Sequence, residues 1–392
     1  LFGLRGGGLG ARRAIGFGVG IARRGLVGSG IELTGLTSRF EAFFQGLTQR
    51  VVLFFRRGGF ADRFVARIAG GSVCHLFGWR RVVERTYGHR CLYLHAGEAD
   101  DLLGALPLVL IKPPLAKASL VSMPFLDQGG ALGRTPEVTD ALHGAARDLA
   151  RRLNAKRIEL RGGDFERLQP DELQPQRFRL ILPLPYASEA LWKSIGPKVR
   201  NQVRKAEKSQ LSTRQVGAER LADFYDVFAD SMRNLGSPVH SRRLFEELFR
   251  EFDQRARLYL TFLEETRVVA GGIALSFNDE TVVPWAASLR SERKRCPNHS
   301  LYWRILSDAV ERREAAFDFG RSWAGSGTFH FKKQWGAEPH PLRWLSLDRH
   351  GEPNRGANLK PQDHRLLTDT WSRLPLPVST WLGSRIRGYL AN

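Results

Sequence analysis

Residues 257–277 read RLYLTFLEETRVVAGGIALSF. Apolar and aromatic residues fill two runs, and Glu264, Glu265 and Thr266 separate them. That pattern predicts two strands joined by a tight polar turn, over 257–265 and 267–277. A third run, TVVPWAASL (281–289), follows at once, then a helical pattern over Ser300–Arg313 and a short strand, AAFDFG (315–320). The same order stands earlier in the chain: CLYLHAG (91–97), LLGALPLVLIK (102–112), KASLVSM (117–123), a helix from Pro136 to Leu153, and RIELRG (157–162). Thr135 is the expected N-cap of that helix, with Val138, Leu142, Ala146 and Leu149 on one face. Leu92-Tyr93-Leu94 recurs as Leu258-Tyr259-Leu260, an offset of 258 − 92 = 166, and RIELRG answers FDFGRS (317–322) at a similar offset. One plan is used twice.

Helices are also expected over Phe60–Ile68, Phe77–Thr86, Glu189–Lys208, Leu221–Asn234 and Arg242–Phe252, and a strand over Phe178–Leu184. Hairpin strands, then a helix feeding one more strand, make a mixed sheet with helices packed on it. The predicted fold class is α/β (α+β), two tandem GNAT-like acyltransferase halves, each a mixed sheet flanked by helices. The expected divisions are 1–57, a basic Gly/Arg-rich extension; 58–185, the first half; 186–347, the second half; and 348–392, a C-terminal tail.

Of the 392 residues, 60 are Lys or Arg and 40 are Asp or Glu, a net charge of +20. Such a charge favours anionic partners: phosphate, nucleic acid or a membrane surface. Residues 1–57 carry nine arginines and two glutamates, so the main body is basic in its own right. Their density of glycine opposes a stable helix. Within them, Ile31–Arg57 carries Phe40, Phe43, Phe44 and Leu47 at helical spacing, which suits a basic membrane-surface segment. The three cysteines include no CxxC pair, which argues against a disulfide framework and for a reducing compartment. Cys74, His75, His89, Cys91 and His95 cluster in sequence, but at no metal-ligand spacing, and are read as packing residues. No secretory leader or membrane-spanning run is read. The expected site of action is the cytoplasm, with peripheral contact at the inner membrane face as an extension of that reading.

The stretch GTFHFKKQWG (327–336) sets Lys332 and Lys333 among Phe329, Phe331 and Trp335. One reading is an amphipathic helix with solvated lysines. The other is a cation fixed in a dry place beside a reacting carbonyl.

Six segments in order carry a resemblance: FGWRRVVERTYGHR (77–90), VSMPFLDQGGAL (121–132), PKVRNQVRKAEKS (197–209), SMRNLGSPVHSRRLFEEL (231–248), VPWAASLRSERKRCPNHSLYWRIL (283–306) and FDFGRSWAGSGTFHFKKQWGAEP (317–339). Over residues 60–347 the chain resembles the FemAB-related proteins associated with the PEP-CTERM/exosortase system, within the FemAB-like, BioF-like acetyltransferase superfamily. The resemblance implies tandem acetyltransferase-like halves with a cleft between them. It implies transfer of an acyl or aminoacyl group to an amine of a cell-envelope or exopolysaccharide precursor, as Fem transferases pass an amino acid from aminoacyl-tRNA to a peptidoglycan precursor. It also implies that Phe331-Lys332 answers the Phe-Lys pair of those enzymes, with Phe331 walling the acyl channel and Lys332 stabilising the oxyanion.

The remaining candidates come from the residues themselves. Arg200, Arg204 and Lys208 are spaced i, i+4, i+8 and form a cationic stripe that suits phosphate or RNA, or a solvated helix face. The amine's proton needs a base; Asp127 lies on a Gly-terminated turn and Asp318 ends a strand beside Arg321, an anion-binding candidate. His330 neighbours the Phe-Lys pair, and Trp285 is a candidate for a substrate groove. The loop RSERKRCPNHS (290–300) has no glycine where N-acetyltransferases hold the pyrophosphate of CoA, and Asn298 or Ser300 is the expected cap. The donor is therefore left as acyl-CoA or aminoacyl-tRNA, and no metal or prosthetic group is required. The expected partners are an anionic donor and an amine-bearing precursor, with tRNA and the inner membrane surface as further candidates and no stable protein partner. Two rivals stand beside this reading: an acetyl-CoA-dependent GNAT N-acetyltransferase, and a non-catalytic RNA- or membrane-surface-binding protein on the same fold.

Overall fold

The computed structural model describes residues 51–53, 58–98, 101–162, 177–348, 350, 352 and 365–390. Nearly all of the basic extension, and with it the membrane-surface reading of Ile31–Arg57, lies outside the described residues. Its Val51–Leu53 forms a strand, β1.

The strands that follow are β2 (Arg90–Glu98), β3 (Asp101–Ile111), β4 (Ser119–Val121), β5 (Leu132–Gly133), β6 (Arg157–Arg161) and β7 (Arg177–Pro183). Then come β8 (Leu211–Val216), β9 (Ala256–Leu263), β10 (Arg267–Phe277), β11 (Glu280–Ser288), β12 (Ala316–Trp323), β13 (Glu338–Pro341) and β14 (Trp344–Asp348). They build two sheets. One has the order β1-β2-β3-β4-β6-β14, with β5 beside β3; the other is β13-β7-β12-β11-β10-β9-β8.

The duplication is visible strand by strand. In the first sheet β2·β3 and β3·β4 are antiparallel, β4·β6 is parallel and β6·β14 is antiparallel. In the second, β9·β10 and β10·β11 are antiparallel, β11·β12 is parallel and β12·β7 is antiparallel. The strand flanking the parallel pair is exchanged: β7 precedes the second sheet's other strands in sequence, and β14 follows them yet pairs with β6 of the first. The two sheets therefore do not separate at one point along the chain.

Helices cover the sheets. Their bounds follow the apolar periodicity except over Glu189–Lys208, where one expected helix is two, Ser188–Ser194 and Pro197–Lys208. Proline disfavours a helical residue before it, and Ile195 and Gly196 are extended with ψ of 142° and 154°. One apolar core runs from the first half into the second, joining Trp79, Tyr93 and Val109 to Phe245, Leu258 and Trp285. Trp79 and Phe252 meet at 5.0 Å and Phe245 and Trp285 at 5.3 Å, edge-on or tilted geometries that suit ring quadrupoles. A second core, with Leu180, Ile305, Phe317 and Trp335, fills the other face of the second sheet. In the tail, helices span Arg365–Ser372 and Leu376–Ile386. Among the described residues no helix is long and apolar enough to cross a membrane.

Candidate active site

The site begins where two parallel strands part. β11 and β12 pair only through Glu280↔Ala316, Thr281↔Phe317 and Val282↔Asp318. Beyond that point each strand is locally irregular. β11 carries a register shift against β10 that includes Pro284, a residue without an N–H to donate. β12 shifts against β7 between Asp318 and Arg321. Gly320 sits in that shift with φ +74°, and a Cβ there would lie 3.0 Å from the Val283 carbonyl oxygen. Both demands select glycine.

A bulge frees backbone groups, and a buried site must satisfy them. The Gly320 amide donates to Asp318 Oδ1 at 2.8 Å, and the Arg321 amide donates to Asp127 Oδ2 at 3.0 Å. Lys332 Nζ donates to the carbonyls of Gly320 and Arg321, both at 2.9 Å. Its helix, Gly327–Lys333, is held at its start by Ser326, whose Oγ accepts from the Phe329 amide. Lys332 is 7% exposed, whereas Lys333 is exposed. Burial pulls the Lys332 ammonium down from its ordinary 10.5 to about 8, while Asp127 and Asp318 support its charge. It therefore stays mostly protonated at pH 7. An ammonium has three donors; two are spent on carbonyls, and one remains.

Lys332 lines a cavity of about 320 Å³. The second half supplies Val282–Ala286 from one parting strand, Asp318–Arg321 from the other, and Tyr302; the first supplies Ser72–Cys74 and Phe125–Gln128. The first-half turn is pinned. Arg161, 1% exposed, donates to the Leu126 carbonyl and to Glu159, while its amide donates to Ser122 Oγ. Met123 and Phe125 take left-handed φ of 42° and 75°, backbone strain of the kind a surrounding framework must hold. Trp344 of the exchanged strand β14 donates its indole N–H to the Asp127 carbonyl and stacks under the guanidinium groups of Arg161, Arg177 and Arg321.

Of the residues singled out in the sequence, Lys332, Asp127, Asp318, Arg321 and Trp285 come together on this cavity. Asp318 is 3% exposed and committed: Oδ2 accepts from Arg179 Nε at 2.7 Å, and Arg179 also pairs with Glu280. Asp127 pairs with Arg321 at 3.3 Å but keeps its side chain 26% exposed. Four candidates stand elsewhere. Phe331 packs against His299 and Tyr302, and Tyr302 is the ring that reaches the cavity. Arg200 donates to the carbonyls of Trp192, Lys193 and Ile195 at the end of the helix Ser188–Ser194, and Arg204 lies over the Trp192 ring. His330 does not line the cavity either.

The glycine-free loop is corrected in detail. Arg290–Arg295 coils into a 3-10 turn, Cys296 takes the N-cap position with φ +64°, and Ser300 bonds Thr213 at 2.8 Å instead of capping. Cys74 lines the cavity, and burial pushes its thiol up to about 12, which disfavours the thiolate. Among the described residues no three His, Cys, Asp or Glu side chains gather as a metal site. Sequence reasoning missed Arg179, Tyr302, His240 and Arg387, which also line the cavity. Arg387 comes from the tail, which carried no periodicity or motif to single it out.

Residues 197–333 match the family model described as the acetyltransferase (GNAT) domain. A comparison with curated protein sequences finds no match. Among solved structures, FemX aligns over 81% of this chain and 100% of its own, at 15% identity and a TM-score of 0.59. A tandem GNAT protein from the clavulanic acid biosynthesis pathway aligns over 77% of this chain and 98% of its own, at 11% identity and a TM-score of 0.48. The C-terminal domain of a putative lysylphosphatidylglycerol synthetase from Agrobacterium fabrum aligns over 72% and 89%, at 11% identity and a TM-score of 0.48. At such identities the FemX likeness is one of fold, and the domain match is what bears on activity. The parted strands and Lys332 thus lie in the region that matches a GNAT acetyltransferase domain, residues outside it complete the cavity wall, and the chain is an acyltransferase.

Proposed function

We propose that the chain transfers an acyl or aminoacyl group to an amine of a cell-envelope or exopolysaccharide precursor, with Lys332 stabilising the oxyanion. One observation carries the reading: a buried ammonium, locked by two carbonyls of a strand bulge, lines the cavity with one N–H still to give. Such a donor costs no reorganisation when negative charge develops, and the dry surroundings strengthen it. The amine nitrogen attacks the carbonyl carbon of a thioester or ester donor. The carbonyl oxygen becomes negative and takes the free N–H of Lys332. Asp127, the more open of the two carboxylates, accepts the amine's proton. The tetrahedral centre collapses, the thiol or hydroxyl leaves with that proton, and an amide remains. Asp318 and Arg179 hold the bulge from behind.

Both acyl-CoA and aminoacyl-tRNA fit this chemistry, and the resemblance to the PEP-CTERM-associated FemAB-related proteins favours an envelope acceptor. The test is donor consumption by the full chain offered radiolabelled acetyl-CoA or charged tRNA, with amine acceptors added. We expect one donor to be turned over and Lys332→Met to slow the chemical step about 100- to 1000-fold. Equal single-turnover rates for the two proteins would end the assignment.

A further inference from the structure

Arg387 is a cation of the cavity that the transfer chemistry does not use. Arg387 follows the helix Leu376–Ile386 and lines the cavity from the tail. Two close approaches seat this segment. A Cβ on Gly383 would come within 2.8 Å of the Val239 amide nitrogen, and one on Gly388 within 2.6 Å of the Tyr87 ring. His89 bonds the Gly388 carbonyl at 2.7 Å, and Tyr389 meets the His89 ring edge-on at 5.5 Å. The backbone that carries Arg387 is therefore held with little room to shift.

Its charge is not balanced. Arg161 pairs with Glu159, Arg321 with Asp127, and Arg179 with Asp318 and Glu280. Arg387 forms no ion pair among the described residues. Its Nε is buried without a hydrogen-bond partner, and Nη1 reaches only the Leu390 carbonyl, at 3.3 Å. The described groups around it do not supply a negative charge. Tyr87 shares a hydrogen bond with His240 at 2.7 Å and burial raises its pKa, so it stays a phenol. Burial holds His240 neutral. Burial also lowers the pKa of Arg387 to about 10, opposed by Tyr87 and reinforced by Arg321 and Arg161. A half-buried guanidinium with cationic neighbours and no carboxylate is a costly arrangement unless an anion completes it.

We propose that Arg387, with Arg321 beside it, forms a phosphate-binding subsite of the cavity, so that the C-terminal segment recognises a phosphate group carried by the donor or the acceptor. The planar fork of a guanidinium matches two phosphate oxygens, and a doubly charged anion suits a site whose neighbours are cations better than a carboxylate does. The inference rests on the cavity being the substrate site. It does not depend on Lys332 chemistry, because it is read by binding alone.

The test titrates inorganic pyrophosphate, inorganic phosphate and acetate into the full chain by calorimetry, with melting temperature as a second readout. Pyrophosphate should bind and raise the melting temperature, with acetate much weaker. Arg387→Met should weaken pyrophosphate roughly tenfold or more, and Arg387→Lys less. Arg385→Met, on the exposed side of the same helix, should change nothing, and Lys332→Met should still bind. Without anion, Arg387→Met should melt no lower than the unaltered protein, since it removes an unbalanced charge. Unchanged pyrophosphate affinity in Arg387→Met would overturn the proposal. So would an equal loss in Arg385→Met, a lower melting temperature of Arg387→Met without anion, or acetate binding as tightly as pyrophosphate.

Discussion

The two sheets share a strand plan and treat one place in it differently. In the second sheet the parallel strands β11 and β12 part, and the wedge between them stays open as the cavity. In the first, β4 and β6 are the corresponding pair, and Ser122 still joins them by donating to the Glu159 carbonyl at 2.8 Å. Where the second sheet has an opening, the first has Arg161, bonded to Glu159, Leu126 and the Ser122 hydroxyl and covered by Trp344. RIELRG and FDFGRS align these places, so Arg161 answers Arg321. One copy of the wedge became a chamber; the other became a brace that aims Asp127 into it.

That contrast can be broken from either side. The largest effect should come from the brace. Arg161→Met leaves Glu159 buried with only a 3.9 Å contact to Arg157, which should cost about 3–5 kcal/mol of stability by denaturant unfolding. Replacing both partners by apolar residues should recover much of it; no recovery would mean that the pair's role is not the one described. Next is the chamber. Lys332→Met should lose about two to three orders of magnitude in the chemical step, with a much smaller change in stability. The active form is the protonated one, and burial sets its pKa near 8. Transfer should therefore decline as pH rises past about 8, approaching tenfold per unit, and that limb should vanish in Lys332→Met. Gly320→Ala sharpens the comparison further. It puts a side chain at φ +74° and against Val283, so about 1–2 kcal/mol should be lost together with activity. The smallest effect belongs to Ser122→Ala, which should cost about 1 kcal/mol through one lost acceptor. It should slow transfer only if Asp127 moves, which a crystal structure of the variant would show.

The sheets were largely legible in the sequence, because alternation and turn residues are local signals. Arg267–Phe277 and the recurring Leu-Tyr-Leu needed nothing beyond their neighbours. Five residues of the site were legible too, through Gly-bounded turns and a lysine set among rings. What escaped were features written in distant contacts. β8 (LSTRQV) and β14 (WLSLD) are short and half polar, and only their partners make them strands. The break at Gly196–Pro197 lies inside what reads as one helix, Glu189–Lys208, and the residue before the proline is what ends the first part. The resemblance made Phe331 a channel wall beside Lys332, whereas its ring packs on His299 and Tyr302; a helix turns by about 100° per residue, so adjacent side chains face different ways. Arg387 carries no local mark; only the packing of Gly383 and Gly388 brings it to the cavity.

The exchanged strands tie the two sheets' histories together. A ribosome has finished all but the last strand of the N-terminal sheet long before residues 344–348 emerge, so β6 waits with an unpaired edge through the synthesis of nearly the whole second sheet. We expect nascent chains stopped before Trp344 to be cut readily by protease near β6, and chains extended past Asp348 and clear of the exit tunnel to resist. The two copies of the plan thus behave in biogenesis as one clasp, whose first leaf closes last.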